Sequence, residues 1–137
     1  MKLNYITLAI MFVFMLLFAR HAWGSAMNPL QLAGICIALL SFLLLALARI
    51  QLGAAFSVQA KASTLVTTGL YSRIRNPIYF FGALMIAGII LYANKPWFLL
   101  CYAVLIPLQI VRSRAEERVL AEKFGEAYAE YKRKTWF

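Results

Sequence analysis

Acid is scarce in this sequence. Among 137 residues only five are acidic, and all five are glutamates beyond Val111: Glu116, Glu117, Glu122, Glu126 and Glu130. Histidine occurs once, as His21, and cysteine twice, as Cys36 and Cys101. Neither cysteine has a CxxC partner or a nearby histidine, so no zinc site can be assembled. Both thiols lie within apolar runs and read as small buried hydrophobes. A Ser-His-Asp set and a Gly-rich phosphate loop are also missing, which removes triad hydrolases and P-loop nucleotidases. Neither an internal repeat nor a low-complexity tract is present.

Charge is absent from four long runs, Leu3–Ala19, Pro29–Ala48, Pro77–Tyr92 and Pro96–Val111. Their lengths of 17, 20, 16 and 16 residues bracket the low end of the roughly 17–25 that cross a bilayer. Hydrophobic residues make up 64% of the chain, more than a soluble domain of this size can hide from water. The expectation is an all-α polytopic membrane protein: four transmembrane helices at about 3–19, 29–48, 77–92 and 96–111, in a single domain over 1–137. A cytoplasmic loop at 49–76 and an amphipathic cytoplasmic helix at 112–134 complete it. The first run competes with a signal peptide cut near Ala22-Trp23-Gly24, but a signal core is shorter, about 7–15 residues.

What the sequence does hold is base. The net charge is +9, and twelve of the fourteen Lys and Arg residues fall on one side of the expected spans. Only Arg20 and Lys95 fall on the other. This asymmetry places both termini in the cytoplasm, and the basic excess reports topology and anionic lipid rather than nucleic acid.

Two polar clusters interrupt the apolar pattern. The first is "GLYSRIRNPIY", Gly69 to Tyr79. Asn76 suits a helix N-cap and Pro77 the first helical turn. A helix beginning there presents free amides to an anion, with Arg73 and Arg75 adding charge. The same arginines serve equally well as interfacial anchors. The middle of the preceding loop, "AAFSVQAKASTLV", is only mildly polar, and suits the membrane surface or a short strand or helix.

The second cluster opens the amphipathic segment. Leu120, Phe124, Tyr128 and Tyr131 share one helical stripe, which extends back to Glu116. Glu122, Glu126 and Glu130 read as a solvated face, and Gly125 as a weak point or bend. Each arm of the hairpin formed by 77–92 and 96–111 rises about 24 Å, which returns Arg112, Arg114, Glu116 and Glu117 to the level of Arg73, Arg75 and Asn76. Gly82, Ala83, Ala87 and Gly88 are the small residues that let helices approach closely.

Together "TTGLYSRIRNPIY" and "RAEERVLAEKFGEAYAEY", one hairpin apart, resemble the isoprenylcysteine carboxyl methyltransferase and phospholipid methyltransferase family of integral-membrane enzymes. The likeness covers residues 64–131. The family pattern of Gly-x-Tyr, Arg-His-Pro-x-Tyr, Glu-Glu and Phe-Gly-x-x-Tyr-x-x-Tyr is met by Gly69 and Tyr71; Arg75, Pro77 and Tyr79; Glu116 and Glu117; and Phe124, Gly125, Tyr128 and Tyr131. Asn76 stands where the family has histidine; it donates a hydrogen bond but takes up no proton near neutral pH.

The resemblance implies S-adenosylmethionine as cofactor, held by Tyr71, Arg75, Asn76, Tyr79, Glu116 and Glu117, with no metal. It also implies a lipophilic or small-molecule methyl acceptor, membrane lipid as partner and a bacterial inner-membrane location. A lid built from a longer tail in relatives is expected to be incomplete after "KTWF". The competing readings are an NADPH-dependent reductase related to sterol reductases and a non-catalytic four-helix membrane protein. A proton-coupled exporter is disfavoured because the runs hold no ionisable span residue. The sequence names neither a catalytic residue, nor the acceptor atom, nor an oligomeric state.

Overall fold

The structure is a computed structural model that describes residues 2–24, 26–53 and 65–136. Four α-helices carry it: α1 at Lys2–Ala22, α2 at Pro29–Leu52, α3 at Pro77–Tyr92 and α4 at Tyr102–Lys134. Short 3-10 helices span Gly69–Ser72 and Pro96–Cys101. Among the described residues the only extended pairing is an isolated parallel bridge between Ile74 and Trp136. The all-α expectation therefore holds, while several boundaries move. Helix α1 continues to Ala22 and α2 to Leu52, beyond the charges at Arg20 and Arg49. A basic residue ends an apolar run without ending a helix, and in the last turn it complements the helix dipole. The fourth run opens as a 3-10 turn, and α4 then passes from apolar to amphipathic sequence. The segment 54–64, the middle of the expected loop, lies outside the described residues.

Helix α2 and a helix containing residues 97–134 are long and apolar enough to cross a membrane. Leu8–Ala22 and Pro77–Tyr92 are shorter apolar helices. The packing supports a lipid setting. Helix α2 buries Ala38, Ser41 and Ala48 while Leu40, Leu43, Leu47 and Ile50 face outward. Lipid does not penalise outward leucines, and small inward residues, here beside the buried Ile35, Phe42 and Leu45, permit close backbone approach.

The chain divides into two compact units, Met1–Ala46 with Phe81–Leu100, and Leu47–Phe80 with Cys101–Phe137. In the first unit the small residues of α2 and α3 set the spacing. A Cβ on Gly34 would lie 2.5 Å from the Tyr92 amide nitrogen, and one on Gly88 would lie 2.5 Å from that of Ala38. Gly88 thus serves the α2–α3 crossing rather than an α3–α4 one, and a Cβ on Gly82 would meet nothing within 4 Å. Helix α2 starts with a reciprocal capping box: Gln31 N–H donates to Asn28 Oδ1 at 2.8 Å, and Asn28 N–H donates to Gln31 Oε1 at 3.2 Å. The Gln31 amide also donates to the Tyr92 carbonyl at 3.2 Å, which fixes the start of α2 against the end of α3. Two free thiols, Cys36 and Cys101, prove exposed, not buried. On helices of this kind an outward thiol lies on the apolar surface beside the outward leucines.

The second unit is organised by Gly125. Its φ of 50° and ψ of −119° are not helical, and a residue with a Cβ resists that conformation. Along a straight helix Glu117 and Lys132 would stand about 22 Å apart. Instead Lys132 Nζ lies 3.0 Å from Glu117 Oε2. The chain therefore reverses at Gly125, and its last helical turns run back along the preceding ones.

Candidate functional site

The polar groups of the second unit gather where α3 begins. Pro77 is fully buried as the first residue of α3, and the Phe80 amide donates to the Asn76 carbonyl at 3.1 Å. The Asn76 side chain does different work: its Nδ2 donates to Ser113 Oγ at 2.8 Å. That bond sets Ser113, and with it Arg112 and Arg114, level with the foot of α3, as the hairpin length requires. One turn further along α4, the Tyr79 hydroxyl donates to Glu116 Oε1.

Glu117 takes a cation on each oxygen. Arg75 Nε stands 3.1 Å from Oε1, as an ion pair without hydrogen-bond alignment, and Lys132 Nζ holds Oε2. The Arg75 and Glu117 side chains are 15% and 20% exposed, so the pair is sheltered without being sealed. Screening by water is reduced there relative to the open surface.

Three tyrosines line the inner side. Tyr71, Tyr128 and Tyr131 are 6%, 3% and 8% exposed. The Tyr131 hydroxyl donates to the Tyr71 carbonyl at 2.7 Å, which ties the Gly125 reversal to the 3-10 turn. The hydroxyls of Tyr71 and Tyr128 are buried and have no partner among the described residues. An unmet buried hydroxyl is costly, which sets these two phenols apart from the bonded Tyr79 and Tyr131. Burial, with Tyr131 and Glu116 nearby, raises the Tyr71 phenol well above its ordinary value. Burial and the Glu117 carboxylate push Tyr128 up to about 12, against the pull of Arg75. Both stay protonated donors at neutral pH.

All six sequence-expected residues thus meet in one unit: Tyr71, Arg75, Asn76, Tyr79, Glu116 and Glu117. Sequence reading missed four contributors. Gln51 Oε1 accepts from the Leu70 amide at 2.8 Å and steadies the turn carrying Tyr71; a lone uncharged polar residue ending an apolar helix was its only signal. Ser113 and Lys132 gave none beyond lying on the amphipathic segment. Trp136 is the fourth. Its N–H donates to the Arg73 carbonyl at 2.7 Å, and its carbonyl accepts from the Arg75 N–H at 2.9 Å. Trp136, in the tail after which a lid is expected to be incomplete, is thus bonded to the backbone on either side of Ile74.

A family model described as phospholipid methyltransferase matches residues 19–127, well over half of the chain and including both clusters. No curated protein and no solved structure matches it.

Proposed function

Since the chain belongs to the phospholipid methyltransferase family, we propose that it transfers a methyl group from S-adenosylmethionine to a lipophilic or small-molecule acceptor at the cytoplasmic membrane interface. Methyl transfer and membrane association come with the family and the apolar helices. The cofactor, the acceptor and the side of the membrane are the reading offered here. So are four spans in one integral-membrane domain, cytoplasmic termini and the inner membrane of a bacterium.

The residues present fit that cofactor. Two orphaned phenol donors, two carboxylates and one sheltered guanidinium suit a ligand bearing a carboxylate, an ammonium and ribose hydroxyls. Arg75 would hold the carboxylate, and Glu116 or Glu117 the ribose or amino group. Tyr71 and Tyr128, kept protonated by burial, would donate to ligand oxygens or nitrogens. When bound, S-adenosylmethionine supplies the methyl group on a sulfonium that needs no metal and no protein acid to leave. The chain's own work is alignment and exclusion of water, and alignment alone lowers such a barrier by about 7–11 kcal/mol. Tyr79 fixes the Glu116 carboxylate, Lys132 and Arg75 fix that of Glu117, and Asn76 holds the two clusters at one level through Ser113. Asn76 moves no proton, so an acceptor needing deprotonation would lose it elsewhere.

The observation that carries this reading is the pairing of the two motifs, Tyr79 with Glu116 and Arg75 with Glu117, around unmet buried hydroxyls. Calorimetric titration of the detergent-purified protein with S-adenosylhomocysteine tests it. Saturable binding weakened by Arg75→Ala and by Glu117→Ala is expected. Binding of NADPH instead would move the reading to a reductase, and silence with both from folded protein would leave a non-catalytic membrane protein.

A further inference from the structure

Arg49 has no task in the methyl-transfer reading, and its position calls for one. Along α2 the buried residues Ile35, Ala38, Phe42 and Leu45 alternate three and four apart, and the next place on that stripe is Arg49. An arginine in the last turn of an apolar helix ordinarily reaches outward to the interface. This one is half-buried, with its Nε shut off from solvent. The end of α2 is also fixed against the turn that carries Tyr71. Gln51 Oε1 accepts from the Leu70 amide at 2.8 Å, and a Cβ on Gly69 would strike the Gln51 side chain.

The two phenols whose hydroxyls have no partner among the described residues stand in different company. Tyr128 is under the charges of Glu117 and Arg75, the pair assigned to the cofactor. Tyr71 is under those of Glu116 and Arg49. Burial, Tyr131 and Glu116 raise the Tyr71 phenol while Arg49 pulls the other way, so the guanidinium is near enough to act on a ligand atom at that hydroxyl. An oxygen bearing negative charge uses both the donor and the cation.

Charge balance points the same way. The cluster sets two carboxylates, Glu116 and Glu117, against four cations, Arg49, Arg75, Arg112 and Lys132. S-adenosylmethionine brings two cationic groups and one carboxylate, so it deepens the surplus. An anionic acceptor relieves it.

We propose that Arg49 and the Tyr71 hydroxyl form the subsite for an acid group of the methyl acceptor, an anionic oxygen of phosphate or carboxylate type. The inference rests on the methyl-transfer reading and adds to it the acceptor's charge and the residues that select it. Arg49 orients the acceptor and takes no part in the bond that forms.

The test titrates the full chain in neutral detergent with dodecyl phosphate, dodecanoate and inorganic phosphate, with and without saturating S-adenosylhomocysteine. At least one of these acids is expected to bind saturably beside S-adenosylhomocysteine. Arg49→Gln should weaken it about tenfold, the usual worth of a charge-assisted bond, and Arg49→Lys should keep part of the affinity. Arg133→Gln, which removes the same charge from an exposed position, should change it little. Tyr71→Phe removes only a hydroxyl, should weaken the acid several-fold, and carries the test if Arg49→Gln does not fold. Inorganic phosphate binding as tightly as dodecyl phosphate identifies a small water-soluble acid, and chain-dependent binding a lipophilic one. Absence of saturable acid binding overturns the inference, as does an affinity indifferent to Arg49→Gln and Tyr71→Phe. Displacement of the acid by S-adenosylhomocysteine also overturns it, because the acid then sits on Arg75. Silence toward S-adenosylhomocysteine alone, in the parent protein, strikes the methyl-transfer reading and the acceptor role with it, so the two failures are told apart.

Discussion

The dipeptide Asn-Pro begins two helices of this protein, and the two are used in opposite ways. At Asn28-Pro29 the asparagine closes on its own helix through a capping box with Gln31. At Asn76-Pro77 the side-chain amide reaches 37 residues along the chain, to Ser113. The contrast extends to the units that contain them. The first is held by backbones brought together at Gly34 and Gly88, the second by polar side chains and a bridged tail. One kind of cohesion depends on atoms that are absent and the other on bonds that must be made. Substitutions should separate them.

The largest effect is expected in the first unit. Gly88→Val places a side chain against the Ala38 amide and the Gly34 carbonyl, neither of which can rotate away. Overpacking against backbone should cost about 3 kcal/mol and lower the thermal unfolding midpoint in detergent sharply. Gly82→Ala, six residues away with open space around it, should be neutral or gain up to about 1 kcal/mol from helix propensity. Equal damage at the two positions would dissolve the distinction.

Next comes Gly125→Ala in the second unit. Holding alanine at a φ of 50° should cost about 2 kcal/mol. Straightening the helix to relieve that strain would pull Lys132 from Glu117 and Trp136 from Arg75. Binding of S-adenosylhomocysteine should therefore fall by more than stability alone explains, and a tighter binder would refute the reversal as a support of the site.

These two glycines mark how far the sequence could be read. Hydropathy gave the helices because an apolar run without charge has few alternatives in a membrane chain, and the resemblance to a known family pointed to the six clustered residues. Gly125 was legible as a bend but not as a reversal, since composition carries no sign of φ. The partner of Gly88 went unnamed because a small residue announces a close approach without saying to what. Trp136 was invisible for a different reason: its bonds are made by its backbone, which every residue has. Gln31 was likewise hidden inside an apolar run: its pairing with Asn28 is local, but its bond to Tyr92 needs three-dimensional proximity.

The Asn-Pro contrast itself predicts a smaller pair of effects. Asn28→Ala should lower stability by about 1 kcal/mol, the usual worth of an N-cap, and leave affinity for S-adenosylhomocysteine unchanged. Asn76→Ala should cost a similar amount, about 1 kcal/mol for the bond to Ser113, and should weaken the ligand as well. Thermal midpoints with parallel titrations check both. Were Asn76→Ala to leave affinity intact, its bond would be as local in effect as the first.

The smallest effect is the most discriminating. Tyr128→Phe removes a buried hydroxyl with no partner among the described residues, so the ligand-free protein should lose nothing and could gain about 1 kcal/mol, while affinity falls. The same phenol sets a limit at high pH. Burial and Glu117 raise Tyr128 from 10.0 to about 12, and burial raises Tyr131 to about 12. A raised phenol favours the folded protein fully below pH 10.0, where both states are protonated. Above it the unfolded chain ionises first, so the folded state loses ground until the pH passes about 12. Thermal midpoints should be flat into the weakly alkaline range and decline across that window. In Tyr128→Phe the decline should be shallower, since one of the four raised phenols, Tyr71, Tyr79, Tyr128 and Tyr131, is gone. An unchanged slope would mean that Tyr128 ionises alike in both states, and its hydroxyl could not then be the sheltered donor a ligand completes.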